Sequence, residues 1–159
     1  VAFSNLFRAQ LLYQRGGLYT DLDVLCLKPY DFNKRFVFSE QGDSTHPYHV
    51  ATCILYSENA GEELFDDWSD WIIAKKNNWR STTHGDLGPN LFTFLIISNN
   101  LKEYVLTKDH FCPIDWESYK NVFDNNFNSY GVHLYRSLWN ERELKKMIDV
   151  YLLSTKIGE

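Results

Sequence analysis

Hydrophobic and polar positions alternate with two different periods along the chain, and the switches between them mark the elements. Ser4 to Arg15 repeats apolar residues at helical spacing, with Ser4 as N-cap and Gly16-Gly17 as the stop. Leu6, Phe7, Leu11 and Tyr13 are its expected buried residues, and Asn5, Arg8 and Arg15 share a polar face. Gly17 to Leu27 then reads as one strand. Strand alternation would send Tyr19, Asp21 and Asp23 to one side and Leu18, Leu22, Val24 and Cys26 to the core, until Lys28-Pro29 ends it.

Further along, Phe36–Ser39 and Val50–Tyr56 have strand character, separated by a polar loop from Gln41 to Tyr48. Gly61 to Lys76 is an amphipathic helix with Leu64, Phe65, Trp68 and Ile72 inward. Gly88-Pro89 opens another helix, with Leu91, Phe92, Leu95 and Ile96 inward. Tyr104–Leu106 and Tyr130–Tyr135 are expected strands, and Asp115–Asp124 a short helix. Asn140 and Glu143 form a capping-box pattern opening a helix to Leu153, with Leu144, Met147, Ile148, Tyr151 and Leu152 at core spacing. Interspersed strands and helices, without repeats or a linker, predict a single α/β domain over residues 1–159.

Composition adds little to this and removes some options. A length of 159 residues suits one core, and a net charge of −5 without a Lys/Arg run argues against nucleic acid as a partner. Aromatics make up 16% of the chain, which suits sugar-binding surfaces but is expected mainly to fill the core. Cys26, Cys53 and Cys112 each sit in an apolar run without metal spacing, so buried thiols are expected and no disulfide framework. No stretch has the length and apolarity of a membrane span.

The candidate chemistry lies in Gly16-Gly17-Leu18-Tyr19-Thr20-Asp21-Leu22-Asp23-Val24. Two carboxylates one strand-step apart make a hard, oxygen-rich site suited to Mg²⁺ or Mn²⁺ and to phosphate oxygens bridged by it. The D-x-D pattern alone is weak, arising by chance in roughly one chain of this length in two or three.

Its surroundings resemble glycosyltransferase family 32, the DXD-containing sugar-binding-region glycosyltransferases, related to the α-1,4-glycosyltransferases and the clostridial glucosylating toxins. The first block of the resemblance is Ser4-Asn5-Leu6-Phe7-Arg8, Leu11-Leu12-Tyr13, the diglycine and D-x-D run, and Leu27-Lys28-Pro29. His84-Gly85-Asp86-Leu87-Gly88-Pro89 resembles the second block, and Phe111-Cys112-Pro113-Ile114-Asp115-Trp116 the F-x-P-I segment. Val132-His133-Leu134-Tyr135 followed by Trp139 resembles the closing block.

The resemblance implies a GT-A-type fold, a mixed sheet flanked by helices, and retaining transfer of a sugar from a UDP- or GDP-sugar to a hydroxyl acceptor, glycan or glycolipid, in polysaccharide or glycolipid biosynthesis. It implies Asp23 as direct metal ligand, with Asp21 and His133 completing the Mn²⁺ or Mg²⁺ site. Asp21 would also contact the donor sugar and ribose. Arg8, Asn5 and Tyr19 would line the donor pocket, and Trp139 would close over the diphosphate. His84, Asp86 and Asn90 are candidates for the acceptor or the reactive face, Asp86 as a third catalytic carboxylate beside Asp21 and Asp23. Turn or cap roles are the alternative for all three. His46, His49 and His110 are given structural roles only. Asn5 departs from the family, which carries Asp there.

The chain opens at Val1 directly into a helix, whereas a GT-A fold opens with a strand–helix unit that holds the base. A fragment of a longer chain is therefore expected, with an exposed apolar patch beside Leu18–Leu27, weak donor binding, and solubility and turnover restored by upstream sequence. Compartment stays open: cytoplasmic for a bacterial chain, Golgi lumen if an upstream anchor exists. Two other classes remain, a sugar-nucleotide-binding module without turnover and a metal-dependent phosphohydrolase.

Overall fold

The computed structural model describes residues 2–42, 48–83, 85–123, 127–140, 142, 143 and 145. Helix α1 (Ala2–Arg15) leads into strand β1 (Gly17–Thr20), followed by β2 (Val24–Cys26), β3 (Phe36–Ser39) and β4 (Ile54–Ser57). Helices α2 (Glu63–Ala74) and α3 (Leu91–Ser98) follow, then β5 (Val105–Leu106) and β6 (Gly131–His133). A four-stranded mixed sheet runs in the order β1-β4-β3-β5, and a separate two-stranded ladder joins β2 to β6. The α/β expectation holds.

Strand β3 lies inside the sheet, antiparallel to β4 and parallel to β5, and all four of its residues are buried. Alternation divides them between two cores. Phe36 and Phe38 face the larger one with Leu12, Phe65, Trp68, Ile72, Phe92 and Ile96, while Val37 faces a smaller one with Ile54, Phe111 and Cys112. The larger core is aromatic: the Phe38 ring stands edge-on to Phe92 at 5.2 Å, and Trp68 tilts over Phe92 at 4.6 Å. Such pairs add about 0.5–1.5 kcal/mol each beyond area burial. The inward residues expected on α2 are all buried, and α3 buries Phe92, Leu95 and Ile96.

Three expectations need correction. The Gly17–Leu27 segment is two strands, because the backbone changes partners in the middle. Asp21 N–H donates to the Cys53 carbonyl at 2.8 Å, ending the β1–β4 ladder, and the Asp23 carbonyl accepts from Leu134 N–H at 2.8 Å, opening the β2–β6 ladder. Between these bonds Leu22 and Asp23 form a turn, so Leu22 is fully exposed rather than buried, and Leu18 and Cys26 are exposed as well.

Helix α1 is also rotated from the expected face. Phe7 and Leu11 are exposed, Leu6 and Tyr13 are only partly buried, and the inward face carries Ala2, Asn5, Arg8, Ala9 and Leu12. The small residues let α1 lie against α2, and the polar ones serve the site below. Finally, the helix begins at Ala2, which places Ser4 inside it rather than at its cap.

Elsewhere, Asp115–Asp124 is realised as tight 3₁₀ turns over Trp116–Phe123. The Asn140–Glu143 capping box forms, each residue's N–H donating to the other's side chain at 3.1 and 3.0 Å. The helix expected beyond it, with Leu144, Met147, Ile148, Tyr151 and Leu152, lies outside the described residues. Among the described residues no helix is long and apolar enough to cross a membrane. Among the described residues strand β1 has β4 as its one neighbour in the sheet. Leu18, Leu22 and Leu27 are exposed, as are Phe3, Phe7 and Leu11, which lie at helical spacing on α1.

Candidate metal and donor site

The partner switch after Thr20 builds the site. Because β2 pairs with β6 in the register Val24↔His133, the residue following Asp23 lies opposite His133, from more than a hundred residues downstream. One carboxylate or imidazole atom from each of Asp21, Asp23 and His133 lies within 4.8 Å of the others. His133 Nε2 is 3.4 Å from Asp23 Oδ2. Two ligands on one divalent ion, each about 2.1 Å from it, stand about 3 Å apart or slightly more, so this donor set fits such an ion.

Each carboxylate is held by different partners. Asp21 Oδ1 accepts the Tyr19 hydroxyl at 2.6 Å, and the Arg8 guanidinium reaches its two oxygens at 3.3 and 3.4 Å. Arg8 is buried. Its Nη1 also donates to the Thr52 carbonyl, its Nε donates to the Ser4 carbonyl at 3.2 Å, and its plane lies 4.9 Å from the Tyr19 ring centre. Asp23 Oδ2 accepts the Arg136 N–H at 2.9 Å as well as facing His133. Arg8 therefore engages Asp21 on both oxygens, and Asp23 is the carboxylate turned toward His133.

The electrostatics follow from these contacts. Burial works against the His133 imidazolium, but the Cys53 sulfur and the Asp23 carboxylate outweigh it and raise its pKa above the ordinary imidazole value. Burial likewise works against the Asp23 carboxylate, yet the His133 contact and the Arg136 N–H hold its pKa below the usual carboxylate range. Burial and the hydrogen bond to Asp21 push the Tyr19 phenol up, so it stays a donor to that carboxylate at neutral pH.

The Asp pair stands where two cavities meet. One is a cleft of about 580 Å³ lined by Asn5, Arg8, Asp21, Asp23, His133 and Asn90 among others. The second is a shallower groove of about 970 Å³ on the β1 side, walled by Phe7, Tyr19, Leu22 and Arg136 and sharing Arg8, Asp21 and Asp23. Asn5 is buried, and among the described residues its amide nitrogen has no hydrogen-bond partner. It packs so closely on Gly88 that a Cβ there would lie 3.0 Å from Asn5 Nδ2. The second block is fixed to α2 by the Trp68 indole N–H, which donates to the Leu87 carbonyl at 3.0 Å.

Residues chosen from the sequence thus divide. Asn5, Arg8, Asp21, Asp23 and His133 line the same cleft, and Tyr19 supports it from the neighbouring groove. Asp86 does not line it: its carboxylate accepts the Thr83 N–H at 2.7 Å and so holds a turn. Trp139 is buried beneath the closing block, its indole N–H donating to the Leu134 carbonyl and its ring edge-on to Tyr119 at 5.0 Å. It lines neither cavity. His84 lies outside the described residues, as does His46. His49, given only a structural role, is on the cleft wall with Nε2 2.8 Å from Asn90 Oδ1.

Sequence reasoning missed Thr52, whose carbonyl anchors Arg8, and Arg136, whose main-chain N–H anchors Asp23. Both act through backbone atoms, which leave no residue-type signal. It also missed Tyr135, which carries a left-handed backbone at φ 50° and lays its ring 4.1 Å from the His133 ring. The unusual backbone turns the chain out of β6 and keeps that ring against the imidazole.

Residues 1–43 match the family model described as glycosyltransferase sugar-binding region containing DXD motif. Over that stretch the chain is similar to this family. The match spans α1, both halves of the Asp segment and β3, and supports a glycosyltransferase-related role. No curated protein and no solved structure matches the chain.

Proposed function

We propose that residues 1–159 form a glycosyltransferase domain of GT-A type that moves a sugar from a UDP- or GDP-sugar to a hydroxyl acceptor with retention, assisted by Mn²⁺ or Mg²⁺. The observation that carries this is the convergence of Asp21, Asp23 and His133 where the cleft and the groove meet, within 4.8 Å of one another. Paired carboxylates with an imidazole form a hard to borderline donor set, matched to an ion that also takes phosphate oxygens. Such an ion, when bound, offsets the negative charge that grows on a departing diphosphate.

The chain's own residues then have separate tasks. Asp23 and His133 hold the ion. Asp21, fixed by Arg8 and Tyr19, presents an oriented acceptor to a sugar or ribose hydroxyl, since a carboxylate bonded on one side keeps lone pairs for the other. The amide of Asn5, unpartnered among the described residues, offers its donor to the sugar in the cleft. The apolar wall of the groove at Phe7, Tyr19 and Leu22 suits the flat face of a nucleoside, and the cleft beside Asn90 suits the acceptor.

The test is calorimetric titration of UDP- and GDP-sugars with and without Mn²⁺, followed by assay of released nucleoside diphosphate and of sugar on the acceptor. Asp23→Asn is expected to remove Mn²⁺-dependent binding while the far-ultraviolet circular dichroism stays native. Unchanged binding in that variant would refute the metal assignment. Release of a nucleoside monophosphate and a sugar phosphate would make the protein a phosphohydrolase, and binding without release would make it a binding module.

A further inference from the structure

His133 has a second set of neighbours besides Asp21 and Asp23. Cys53 Sγ and Cys112 Sγ are 3.8 Å apart, both buried, and each lies within 4.8 Å of a His133 ring nitrogen. The main chain imposes this meeting. Cys53 directly precedes β4 and its carbonyl holds Asp21, while the Phe111 carbonyl next to Cys112 accepts the His133 N–H at 3.2 Å. The His133 Nε2 is turned to Asp23, and Nδ1 is buried with no hydrogen-bond partner among the described residues.

We propose that Cys53, Cys112 and His133 form a binding site for a thiophilic divalent cation of the Zn²⁺ class, distinct in chemistry from the Asp21/Asp23 site and sharing His133 with it. Two thiolates each about 2.3 Å from a tetrahedral ion stand about 3.8 Å apart, which is the spacing already present between the sulfurs. The imidazole nitrogen need approach by only about an ångström to reach the roughly 3.6 Å that a tetrahedral nitrogen–sulfur pair requires. Cys53 and His133 also line the cleft, so the fourth position opens to solvent or to a bound ligand. Three protein ligands with an open fourth position is the pattern of reactive rather than purely structural zinc sites.

Charge and softness favour the same ion. Binding M²⁺ releases the two thiol protons and the proton on the ligating His133 nitrogen, and leaves two thiolates and a neutral imidazole with one dication, so no net charge is buried. Soft thiolates select Zn²⁺ and its congeners, whereas the carboxylates nearby select Mg²⁺ and Mn²⁺. A soft ion seated on the thiols draws the imidazole away from Asp23, so the two ions compete through one histidine.

The experiment needs no nucleotide sugar, so its outcome is separate from that of the transfer reaction. The reduced, chelator-stripped protein is titrated with Cd²⁺ and Co²⁺ and followed by absorption. One equivalent should produce thiolate-to-metal charge-transfer absorption, and the Co²⁺ visible bands should have the intensity of a tetrahedral centre. The band should be lost in Cys112→Ala and retained in Cys26→Ala and in Asp23→Asn. A wild-type Co²⁺ spectrum of octahedral, sulfur-free type overturns the proposal even if the Cys112 variant fails to fold. A band that follows Cys26 instead overturns it equally.

Discussion

Arg8→Ala is the substitution through which the packing of this fold can be tested against its chemistry. Arg8 is the link between α1, the Asp segment and the Thr52 main chain. Its removal leaves the Thr52 carbonyl without the guanidinium, a loss of about 1–3 kcal/mol for a buried acceptor. It also leaves Asp21 without its cation. The side chains of the pair are 7% and 26% exposed, so its contribution falls between the surface and buried limits, at about 1–2 kcal/mol. Together the two give about 3 kcal/mol, or about 6–12 °C in Tm for a domain of this size. Arg8→Lys restores the charge but not the fork that reaches Thr52 and both Asp21 oxygens, so it should recover less than half of the loss. Differential scanning calorimetry of the three proteins at neutral pH measures both quantities. A drop below 2 °C in the alanine variant, or full recovery by lysine, would refute the account of Arg8 as a buried clamp.

Gly16 sits at φ +62° with the position of a Cβ 2.7 Å from the Asn59 carbonyl carbon, whereas Gly17, at φ +82°, has open space around it. Gly16→Ala should therefore lower Tm clearly more than Gly17→Ala, whose cost is the left-handed backbone alone, about 1–2 kcal/mol; equal losses would contradict the close approach. In metal-free buffer, the Tm gap between wild type and Asp23→Asn should depend on pH. His133 has a raised folded pKa, so its contribution is complete below the unfolded value of about 6.5 and fades as pH rises through the folded one. Asp23 has a lowered one, so its contribution is complete above about 4 and fades in acid. The gap should be widest near pH 5–6.5 and narrow on both sides, and a gap that is flat from pH 4 to 9 would count against the pair.

How much of this could be read from the sequence depended on whether one partner decided a segment's structure. Strand β3 and helices α2 and α3 were legible because their buried residues keep one period from end to end. The capping box at Asn140 was legible because both of its bonds are local. The Asp segment was misread because its apolar positions imitate a single strand, while the bonds that divide it go to Cys53 and Leu134, far along the chain. Helix α1 was misread because residue size was taken for burial: Phe7 faces out, while Arg8 is buried through partners that no local pattern announces. The grouping of Asp21, Asp23 and His133 came from resemblance, since nothing in spacing ties residue 133 to residue 23. The exclusion of Asp86 and Trp139 from the cleft needed coordinates.

The ladder that completes the site is short: three residue pairs join β2 to β6. Separating them would leave the four-stranded sheet and both aromatic-packed helices in place, yet it would part Asp23 from His133. Openings confined to a few residue pairs cost less free energy than global unfolding, so the site can be lost while the rest of the fold persists. Any ion that touches both strands binds only the closed form, and it holds that form shut by RT ln(1 + [L]/Kd). Occupancy of the site and closure of the ladder are then one equilibrium, and amide exchange at Leu134 and Leu27, whose N–H groups bond across to the Asp23 and Tyr130 carbonyls, would report the ion's affinity as directly as a titration.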